Sequence, residues 1–355
     1  MLISVAILNY NYGHFVSGAI DCALAQTYRP IEIVVVDNGS TDDSWSRIEP
    51  YADRVHAVRH GPNAGVGDGY NVAFAHCHGE WLLFLDADDL LDADAIESCV
   101  ALMQPDTSHV QLPLRLIDRS GHPLGGVVPY LHHNGDVVPI IRRFGHYAGP
   151  PSSGNLYRRS AIERYFPMSI ETWRTGTDTM PFIVSAFHGT VATADRPLGS
   201  YRLHQDAVQT PGVFGNMKWS LAEAVRYDRW IRDEALGLVA QHAGIKVEGP
   251  FLVFPSYLRR RVLSWKLARA KHPYPDDSAA RLWRMQLQSL RQYPGYNWIE
   301  RIALAAWTAA VLVAPQPLAR RFASSNTSGG VRRWIRQLAA LGGRDIVAST
   351  LMRTR

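Results

Sequence analysis

The sequence predicts an α/β protein with a parallel sheet wrapped by helices and a carboxyl-terminal helical extension. Over the first 103 residues, short β-rich runs alternate with segments of helical apolar spacing. One of these runs ends abruptly in a group of carboxylates, and after residue 211 the texture changes to long helices that carry Arg and Trp. Such alternation is typical of βαβ units, whose crossovers are right-handed.

The position of each element follows from periodicity and composition. The predicted strands are Leu2–Leu8, Ile31–Val36, Arg54–Arg59, Trp81–Leu85, Val110–Ile117, Val127–Leu131, Thr190–Ala194 and Gly199–Leu203. The predicted helices are Phe15–Ala25, Asp42–Tyr51, Gly67–His76, Thr177–Phe187, Lys218–Ala240, Pro255–Ala270, Ala279–Gln292 and Trp298–Val313. We therefore expect an α/β domain over residues 1–210, with halves 1–105 and 106–210, and a basic helical extension over residues 211–355.

The net charge of +5 is distributed unevenly along the chain. Residues 1–210 contain 14 Arg and no Lys against 23 acidic residues, whereas residues 211–355 contain 23 basic and 9 acidic residues. An acidic first half suits metal-assisted chemistry on a phosphate compound, and a basic second half suits an anionic partner such as a membrane surface. Nucleic acid is the competing anion, and we do not expect it as a partner.

The cysteines and the amino terminus favour a cytoplasmic location. Cys22, Cys77 and Cys99 are widely spaced and form no disulfide or metal pattern, and the first apolar run lacks the basic region of a signal peptide. Residues 302–314 are almost wholly apolar but fall short of the ~20 residues of a membrane span. Two interpretations stay open for this segment, a core helix and an interfacial helix at the inner face of a membrane.

The apolar run from Leu82 stops in three carboxylates, Asp86, Asp88 and Asp89. Ligands of open α/β sheets lie beyond the carboxyl ends of the strands. Carboxylates packed this closely repel one another, and hard divalent cations are their natural ligands. A divalent ion that holds a diphosphate is therefore the first hypothesis, and capping of a helix near Asp92 is the alternative.

Two further loops follow predicted strands. Asp37 lies at a strand end, where its carboxylate can accept a hydrogen bond from a base or ribose, although Asp37–Ser40 is equally typical of a turn. Tyr10 and Tyr12 can stack on a base or line their loop. The segment Asn63–Asn71 is rich in glycine, but it lacks the dinucleotide fingerprint, and no phosphate-binding P-loop is present. These absences argue against a dehydrogenase and a P-loop nucleotidase.

Taken in order, these motifs resemble those of the inverting nucleotide-sugar glycosyltransferases of family 2. The matching segments are Ile7–Asn11, Val36–Asp42, Asn63–Asn71, Gly79–Trp81 and Asp86–Asp89. The resemblance covers about the first 205 residues and implies a GT-A fold with a Rossmann-like sheet. It further implies that Asp37 and Asp68 contact the base, Asp86 the ribose side and Asp88 a bound Mn²⁺ or Mg²⁺. The remaining nucleotide-sugar-binding residues expected from it are Leu8, Tyr10, Asn11 and Ala87.

Later motifs extend the resemblance to the catalytic and acceptor sides. Family members carry a catalytic carboxylate at a helix start, usually as Glu-Asp; here Thr177 replaces the Glu, and Asp178 is the candidate base. Inversion requires a base because the acceptor hydroxyl loses its proton as it attacks. A helix N-cap is the alternative role for Asp178.

The segment Tyr201–Gln205 resembles the family's Tyr-Arg-x-His motif, which implies that Arg202 lies near the phosphates and that His204 completes the metal shell. An ordinary surface or core histidine is the alternative for His204. Gly154 and Asn155 belong to a stretch that shapes the acceptor side in relatives. Arg158 and Arg159 in that stretch are equally consistent with a solvated pair.

The sequence thus predicts a metal-dependent inverting glycosyltransferase that uses a nucleotide-sugar. UDP is the expected nucleotide, with dTDP and GDP as alternatives, and the acceptor is expected to be a saccharide, with a lipid-linked saccharide of surface polysaccharide synthesis favoured by the basic extension. Two other functions stay open: a catalytically silent sugar-nucleotide-binding scaffold, and a nucleotidyltransferase that releases pyrophosphate.

Overall fold

The structure is a computed structural model that describes residues 1–204 and 219–324. The chain divides into two compact units. The sheet unit comprises Met1–Leu203 and Asp228–Phe251, and the helical unit comprises His204–Tyr227 and Leu252–Arg355. The predicted domain boundary at residue 210 lies outside the described residues.

Strands and helices alternate over the first 86 residues of the sheet unit, and beyond them several strands follow one another directly. The strands are β1 (Ile3–Asn9), β2 (Ile31–Asn38), β3 (His56–His60), β4 (Trp81–Asp86), β5 (Leu90–Leu91), β6 (Thr107–Gln111), β7 (Leu114–Ile117), β8 (Pro123–Val128), β9 (Asn155–Arg158), β10 (Thr190–Thr193) and β11 (Gly199–Arg202). The helices up to residue 204 are α1 (Gly13–Leu24), α2 (Ser44–Ile48), α3 (Val66–His76), α4 (Ala95–Val100), α5 (Val138–Phe144), α6 (Arg159–Ile162) and α7 (Thr179–Ser185).

A seven-stranded sheet in the order β10-β6-β9-β4-β1-β2-β3 forms the centre of the sheet unit. Strands β3, β2, β1 and β4 are parallel, and β9 runs antiparallel to both of its neighbours, β4 and β6. Asn9 pairs with Asp37, and Leu8 pairs with Asp86. The register therefore aligns the carboxyl ends of β1, β2 and β4 at one edge of the sheet.

Among the parallel strands, β1, β2 and β4 are largely apolar and buried. Val5 and Ile7 of β1 and Leu83 of β4 are fully buried, as are Val16 and Ile20 of α1, and all five belong to one core cluster. Burying a side chain of this size contributes about 1.5–3 kcal/mol. Strands buried on both faces read as continuous apolar runs, which is why they were predicted from the sequence.

A smaller, four-stranded sheet has the order β5-β11-β7-β8. Two of its strands, β7 and β8, differ from the predicted ones. The prediction of one strand over Val110–Ile117 is wrong, because Pro113 separates β6 of the large sheet from β7 of the small one. Proline has no backbone N–H to donate to a ladder. The strand predicted at Val127–Leu131 lies instead at Pro123–Val128 and stops before Pro129. Strand β9 and helix α5 were not predicted.

The later helices are α8 (Leu221–Ala243), α9 (Pro255–Leu267), α10 (Ala279–Gln292), α11 (Trp298–Val313) and α12 (Gln316–Ser324). Helices α9 to α12 supply a second core, in which Leu258, Val262, Trp307 and Val311 are buried. A capping box begins α11: the Asn297 side chain accepts from the Glu300 backbone N–H, and the Glu300 side chain accepts from the Asn297 N–H. Among the residues described, no helix combines the length and apolarity needed to cross a membrane.

Candidate active site

The carboxyl ends of β1 and β2 carry a buried network of polar side chains. Asn9 Nδ2 donates to Asp37 Oδ1 at 3.1 Å and to Ser40 Oγ at 3.1 Å. Asn38 Nδ2 donates to the Gly65 carbonyl at 2.9 Å. Asp37 is almost fully buried, so these contacts fix its carboxylate at the sheet edge. The structure thus places Asp37 where the sequence predicted it, and its contact with a base stays a prediction.

The loop after β1 is tied to the loop after β2 by Asn11. The backbone of Asn11 has φ of 56°, a left-handed conformation that Asn tolerates better than most residues. Its Oδ1 accepts from the Thr41 N–H at 2.8 Å, and its own N–H donates to Ser40 Oγ at 2.9 Å. Asn11 therefore joins the two loops, while Tyr10 beside it is exposed.

The glycine-rich loop before α3 packs against the segment that leads to α7. The N–H groups of Val66 and Gly67 donate to the carbonyls of Arg174 and Trp173, both at 3.1 Å. A Cβ on Gly67 would lie 2.4 Å from the Trp173 carbonyl oxygen, so the close approach requires glycine. The loop delivers Asp68 to the first turn of α3.

Asp68 is paired with a histidine that was not predicted. Nε2 of His60 lies 2.9 Å from Asp68 Oδ2, and His60 ends β3 opposite Asn38. Both side chains are partly exposed. Asp37 and Asp68 thus lie on neighbouring elements at the same edge. No signal in the sequence favoured His60 over His56, in the same β-rich run, for this pairing.

The acidic motif after β4 contains carboxylates with different surroundings. Asp89 is fully buried: its Oδ1 accepts from the Arg202 N–H at 2.8 Å, and its Oδ2 accepts from Ser153 Oγ at 2.6 Å. Asp89 therefore holds the turn in place. The capping alternative for the motif is wrong, because the N-cap residue of α4 is Asp94.

Negative charge is concentrated in this motif. Burial raises the pKa of Asp86 well above its ordinary value, and the charges of Asp88 and Asp178 raise it further. Burial likewise raises the pKa of Asp89, with added contributions from Asp88 and Asp86. Like charges in a poorly solvated site resist ionising together, and a bound cation relieves this repulsion.

Three tyrosines lie close enough to the acidic motif to be affected by its charge. Burial raises the pKa values of Tyr12 and Tyr201, and Asp86, Asp88 and Asp89 raise them further. The Tyr70 hydroxyl lies 2.6 Å from Ser152 Oγ, and its pKa is raised by burial and then by Asp86 and Asp178. These phenols therefore stay protonated to a higher pH than an exposed tyrosine does.

Asp178 contributes to the same cluster from the start of α7. It occupies the N-cap position, but its carboxylate does not make the usual side-chain capping hydrogen bond. Burial raises its pKa. Thr177, which stands in place of the expected Glu, is buried and donates to the Trp173 carbonyl at 3.0 Å. The charge of Asp178 raises the pKa of Asp86, so the two carboxylates are near each other. The Thr177 side chain instead stabilises the local fold through its hydrogen bond to Trp173.

Arg202 anchors the acidic turn. Its Nε donates to the Asp88 carbonyl at 2.8 Å, and its Nη1 donates to the carbonyls of Asp118 and Arg119 at 3.1 and 3.0 Å. Its guanidinium lies 4.8 Å from the centroid of the Phe15 ring. The predicted contact of Arg202 with phosphate stays a prediction, as does metal ligation by the partly exposed His204 that follows β11.

The loop before β9 is hydrogen-bonded to the acidic motif through Ser153. Ser153 Oγ accepts from the Asp86 N–H at 3.0 Å while it donates to Asp89. Asn155 Nδ2 donates to the Pro151 carbonyl at 2.8 Å, and Asn155 Oδ1 lies 2.9 Å from His109 Nε2. Sequence reasoning missed the role of Ser153, for which a serine pair in a Gly-Pro loop was the only available signal.

The predicted acceptor residues lie where this supporting loop meets β9: Gly154 ends the loop and Asn155 begins the strand. The Asn155 amide is engaged by protein groups on both sides, and a Cβ on Gly154 would lie 2.5 Å from Pro150 Cβ. Ala87 is buried behind the turn, and its N–H donates to the Leu8 carbonyl at 3.1 Å. Contacts of these residues with an acceptor or donor stay predictions.

The donor chemistry of the motif suits a hard divalent cation. Within the described ranges, no group of three or more His, Cys, Asp and Glu side chains is arranged to hold a metal ion. Mg²⁺ in phosphate-handling sites is commonly bound by one or two carboxylates together with substrate phosphates and water. The oxygens of Asp86 and Asp88 fit that requirement.

Comparisons with known proteins identify the domain. Residues 4–166 match the family model described as Glycosyl transferase family 2. An uncharacterized glycosyltransferase of Nostoc sp. is 36% identical over 213 residues, 58% of this chain and 65% of the relative. The Escherichia coli UDP-Glc:alpha-D-GlcNAc-diphosphoundecaprenol beta-1,3-glucosyltransferase WfaP is 32% identical over 104 residues, 29% of this chain and 41% of WfaP. The match thus spans less than two thirds of either relative.

A solved structure supports the fold. The crystal structure of S. aureus TarS 1-349 in complex with UDP has a TM-score of 0.51 and 14% identity, and the match covers 95% of this chain and 92% of TarS 1-349. The family resemblance and the fold class predicted from the sequence are therefore confirmed. Residues 4–166 are a family 2 glycosyltransferase domain, and the chain has the GT-A fold with a helical carboxyl-terminal region.

Proposed function

We propose that this protein is a metal-dependent inverting glycosyltransferase that moves a sugar from a nucleotide-sugar to a hydroxyl acceptor. One observation carries the proposal. Asp86 and Asp88 lie at the carboxyl end of β4 in a turn held by Ser153 and Arg202. Asp178 at the start of α7 is close enough for its charge to raise the pKa of Asp86. That site lies at the carboxyl edge of parallel strands, where α/β proteins bind nucleotides.

The donor side is formed by the loops after β1 and β2 and the first turn of α3. Asp37 and Asp68 present carboxylates that can accept hydrogen bonds from the N–H groups of a base. UDP is the nucleotide we favour, because TarS, which has the same fold, was crystallised with UDP. dTDP- and GDP-sugars are the competing donors for the same loops.

Asp88, assisted by Asp86, would hold a Mn²⁺ or Mg²⁺ ion. When bound, the cation supplies positive charge that stabilises the departing nucleoside diphosphate. The residues of this chain fix the geometry: Asp89, Ser153 and Arg202 hold the acidic turn rigidly through the hydrogen bonds described above.

Asp178 would accept the proton of the acceptor hydroxyl. A carboxylate whose pKa is raised by burial is a stronger base, once ionised, than an exposed one. A lipid-linked saccharide is the acceptor class we favour, since the name of WfaP specifies a diphosphoundecaprenol-linked sugar as its acceptor. The loop that contains Gly154 and Asn155 would shape the acceptor side.

A panel of UDP-, dTDP- and GDP-sugars tests this proposal through the release of nucleoside diphosphate. We expect release with one donor class, dependence on Mn²⁺ or Mg²⁺, and loss on chelation. Asp88→Ala should abolish the release, whereas Asp53→Asn, at an exposed position, should leave it unchanged. Release of pyrophosphate from a nucleoside triphosphate would instead identify a nucleotidyltransferase.

Thr177 favours a second candidate, a sugar-nucleotide-binding protein without turnover. The family usually has a Glu beside the catalytic carboxylate, and here Thr177 takes its place. The buried Thr177 hydroxyl donates to the Trp173 carbonyl and supplies no carboxylate to the site. Saturable, metal-dependent binding of a nucleotide-sugar without hydrolysis or transfer to any saccharide acceptor would support this candidate and contradict the enzyme.

A further inference from the structure

One face of helix α11 is apolar and exposed, although its other face lies in the core of the helical unit. Trp298, Ile302 and Val313 expose 67%, 60% and 82% of their surface. On the opposite face, Trp307, Val311 and Leu312 belong to the core cluster of this unit, and Leu304 is buried as well. The segment 302–314 is therefore a core helix on one side and a solvent-facing apolar surface on the other.

The exposed side chains, together with the half-buried Ala305 and Ala309, form a continuous stripe. The apolar stripe comprises Trp298, Ile302, Ala305, Ala306, Ala309 and Val313, each three or four residues from a neighbour along the same face. Residues with this spacing are neighbours on a helix surface, and the stripe extends about 22 Å. Glu300 falls outside the spacing, and Arg301, which flanks the stripe beside Trp298 and Ala305, donates to the carbonyls of Tyr293 and Tyr296. A helix that is apolar on all sides is normally covered on all sides.

Basic residues accompany the stripe. Helix α12 directly follows α11 and exposes Leu318, Arg320 and Arg321. In the described residues of the helical unit, 13 Lys and Arg stand against 4 Asp and Glu. The sequence of residues 325–355 adds six Arg and one Asp. Apolar burial combined with attraction between basic residues and anionic headgroups is how interfacial helices bind membranes.

We propose that the apolar stripe docks onto the surface of a bilayer that contains anionic phospholipid, with the axis of α11 in the membrane plane. At 16 residues, the helix is shorter than the ~20 residues that span a bilayer, and an amphipathic indole such as that of Trp298 is favoured at the membrane interface. Arg320 and Arg321 contribute the attraction to lipid phosphates. This docking does not depend on the transferase activity.

Flotation of the full chain with vesicles tests the docking. We expect the protein to float with vesicles of phosphatidylcholine and phosphatidylglycerol, and more weakly with phosphatidylcholine alone. The double variant Ile302→Glu/Val313→Glu should bind at least about tenfold more weakly, because each exchange removes an apolar contact. Leu124→Glu, which makes the same kind of change at an exposed apolar residue of β8, should bind like the wild type.

Arg320→Gln/Arg321→Gln tests the electrostatic part separately. Each exchange should lower binding to the anionic vesicles about fivefold and leave binding to pure phosphatidylcholine unchanged. Thermal unfolding of every variant establishes that the fold is kept. Equal binding of wild type and the Ile302/Val313 variant, or no binding of wild type to anionic vesicles, would overturn the proposal.

Two other occupants of the stripe give different results. A dimer in the absence of vesicles that dissociates in the Ile302/Val313 variant would show that a second copy covers the stripe. A polarity-sensitive fluorophore on Ile302→Cys should report water before vesicles are added and an apolar environment afterwards. An apolar signal from the monomer without vesicles would show that the chain covers its own stripe; either result contradicts the proposal.

Discussion

The sheet unit and the helical unit both bury carboxylates, and they treat the charge in opposite ways. At the edge of the large sheet, burial and the neighbouring carboxylates raise the pKa of Asp86. In the helical unit, burial alone would raise the pKa of Asp277, but hydrogen bonds and charge from Arg261 and His272 lower it. Arg261 Nε and Nη2 donate to the Asp277 carboxylate at 2.6 and 2.7 Å.

The comparison separates a structural carboxylate from a binding carboxylate. Asp277 receives its compensating charge from the protein and joins the segments around α9 and α10. The Asp86–Asp89 cluster concentrates like charges and is suited to bind a cation from solution. Burial of an acidic residue alone therefore does not indicate its function. The charge of the neighbouring side chains distinguishes a structural carboxylate from one suited to bind a cation.

The largest expected effect is on catalysis at Asp178. Asp178→Asn keeps the size of the side chain but removes the base, so kcat should fall about 10³-fold with binding of the donor preserved. Because burial raises the pKa of Asp178, the wild-type rate should fall, as pH is lowered, at a pH above the ordinary Asp range. Steady-state assays of nucleotide release measure both effects.

Asp53→Asn is the matched control for that measurement, since it makes the same change at an exposed position of the same unit. A kcat for Asp178→Asn within about threefold of the wild-type value would contradict the assignment of the base, because a missing general base costs far more than that.

Removing the compensated carboxylate should instead affect stability. Asp277→Asn leaves the Arg261 guanidinium buried without its anion, which should lower the free energy of unfolding by about 3 kcal/mol. Urea unfolding followed by circular dichroism measures the change. Asp276→Asn, at the exposed neighbouring position, should change it by less than about 0.5 kcal/mol. Equal effects of the two variants would contradict the comparison.

A divalent cation should stabilise the sheet unit by relieving repulsion in the acidic motif. Binding to the native state alone at about a hundredfold excess over Kd contributes about 2.7 kcal/mol. Thermal unfolding of the wild type should therefore shift upward with Mn²⁺, and that of Asp88→Ala should not. The same upward shift in both proteins would indicate that the cation binds elsewhere.

His109 is a buried titratable side chain whose hydrogen-bond partners, Tyr147 and Asn155, are neutral. Unlike Asp277, it therefore lacks, within the described part of the chain, a partner of opposite charge that would compensate its own charge. Burial lowers its pKa from 6.5 to about 3. The unfolded chain then binds more protons between these values, so the stability that His109 contributes is complete above pH 6.5 and is lost as the pH falls. By about pH 5 the loss should be about 2 kcal/mol.

His109→Gln should remove this part of the pH dependence. Urea unfolding at about pH 7 and about pH 5 should show a smaller difference for the variant than for the wild type. His122→Gln, at an exposed position, is the control and should retain the wild-type slope. An unchanged slope in His109→Gln would show that other groups cause the acid sensitivity.

The sequence predicted the parts of the fold that local patterns determine. Apolar runs indicated β1, β2 and β4, and the position of these strands in βαβ units was sufficient to place Asp37 and Asp86 at one edge of the sheet. The order of the motifs indicated the family. The family resemblance made Asp178, at the start of a predicted helix, the candidate base although the usual Glu is absent, and its role stays a prediction.

Contacts between distant segments could not be predicted in this way. The four residues of β9 are too few for a periodic signal, and they pair antiparallel with β4 and β6, which lie far from them in the sequence. The contacts of Ser153 with Asp86 and Asp89 join segments that are far apart along the chain. Likewise, the pairing of His60 with Asp68 depends on the register of β3.

The backbone hydrogen bonds from Val66 and Gly67 to Arg174 and Trp173 have a consequence for engineering. These hydrogen bonds join the glycine-rich loop before α3 to the segment before Asp178, although the two segments are widely separated in the sequence. A chimaera made to change the nucleotide preference could replace only residues 63–68. The new loop would then be separated from the segment at residues 173–174 that it contacts in its own protein. The transplantable module includes residues 173–178 as well.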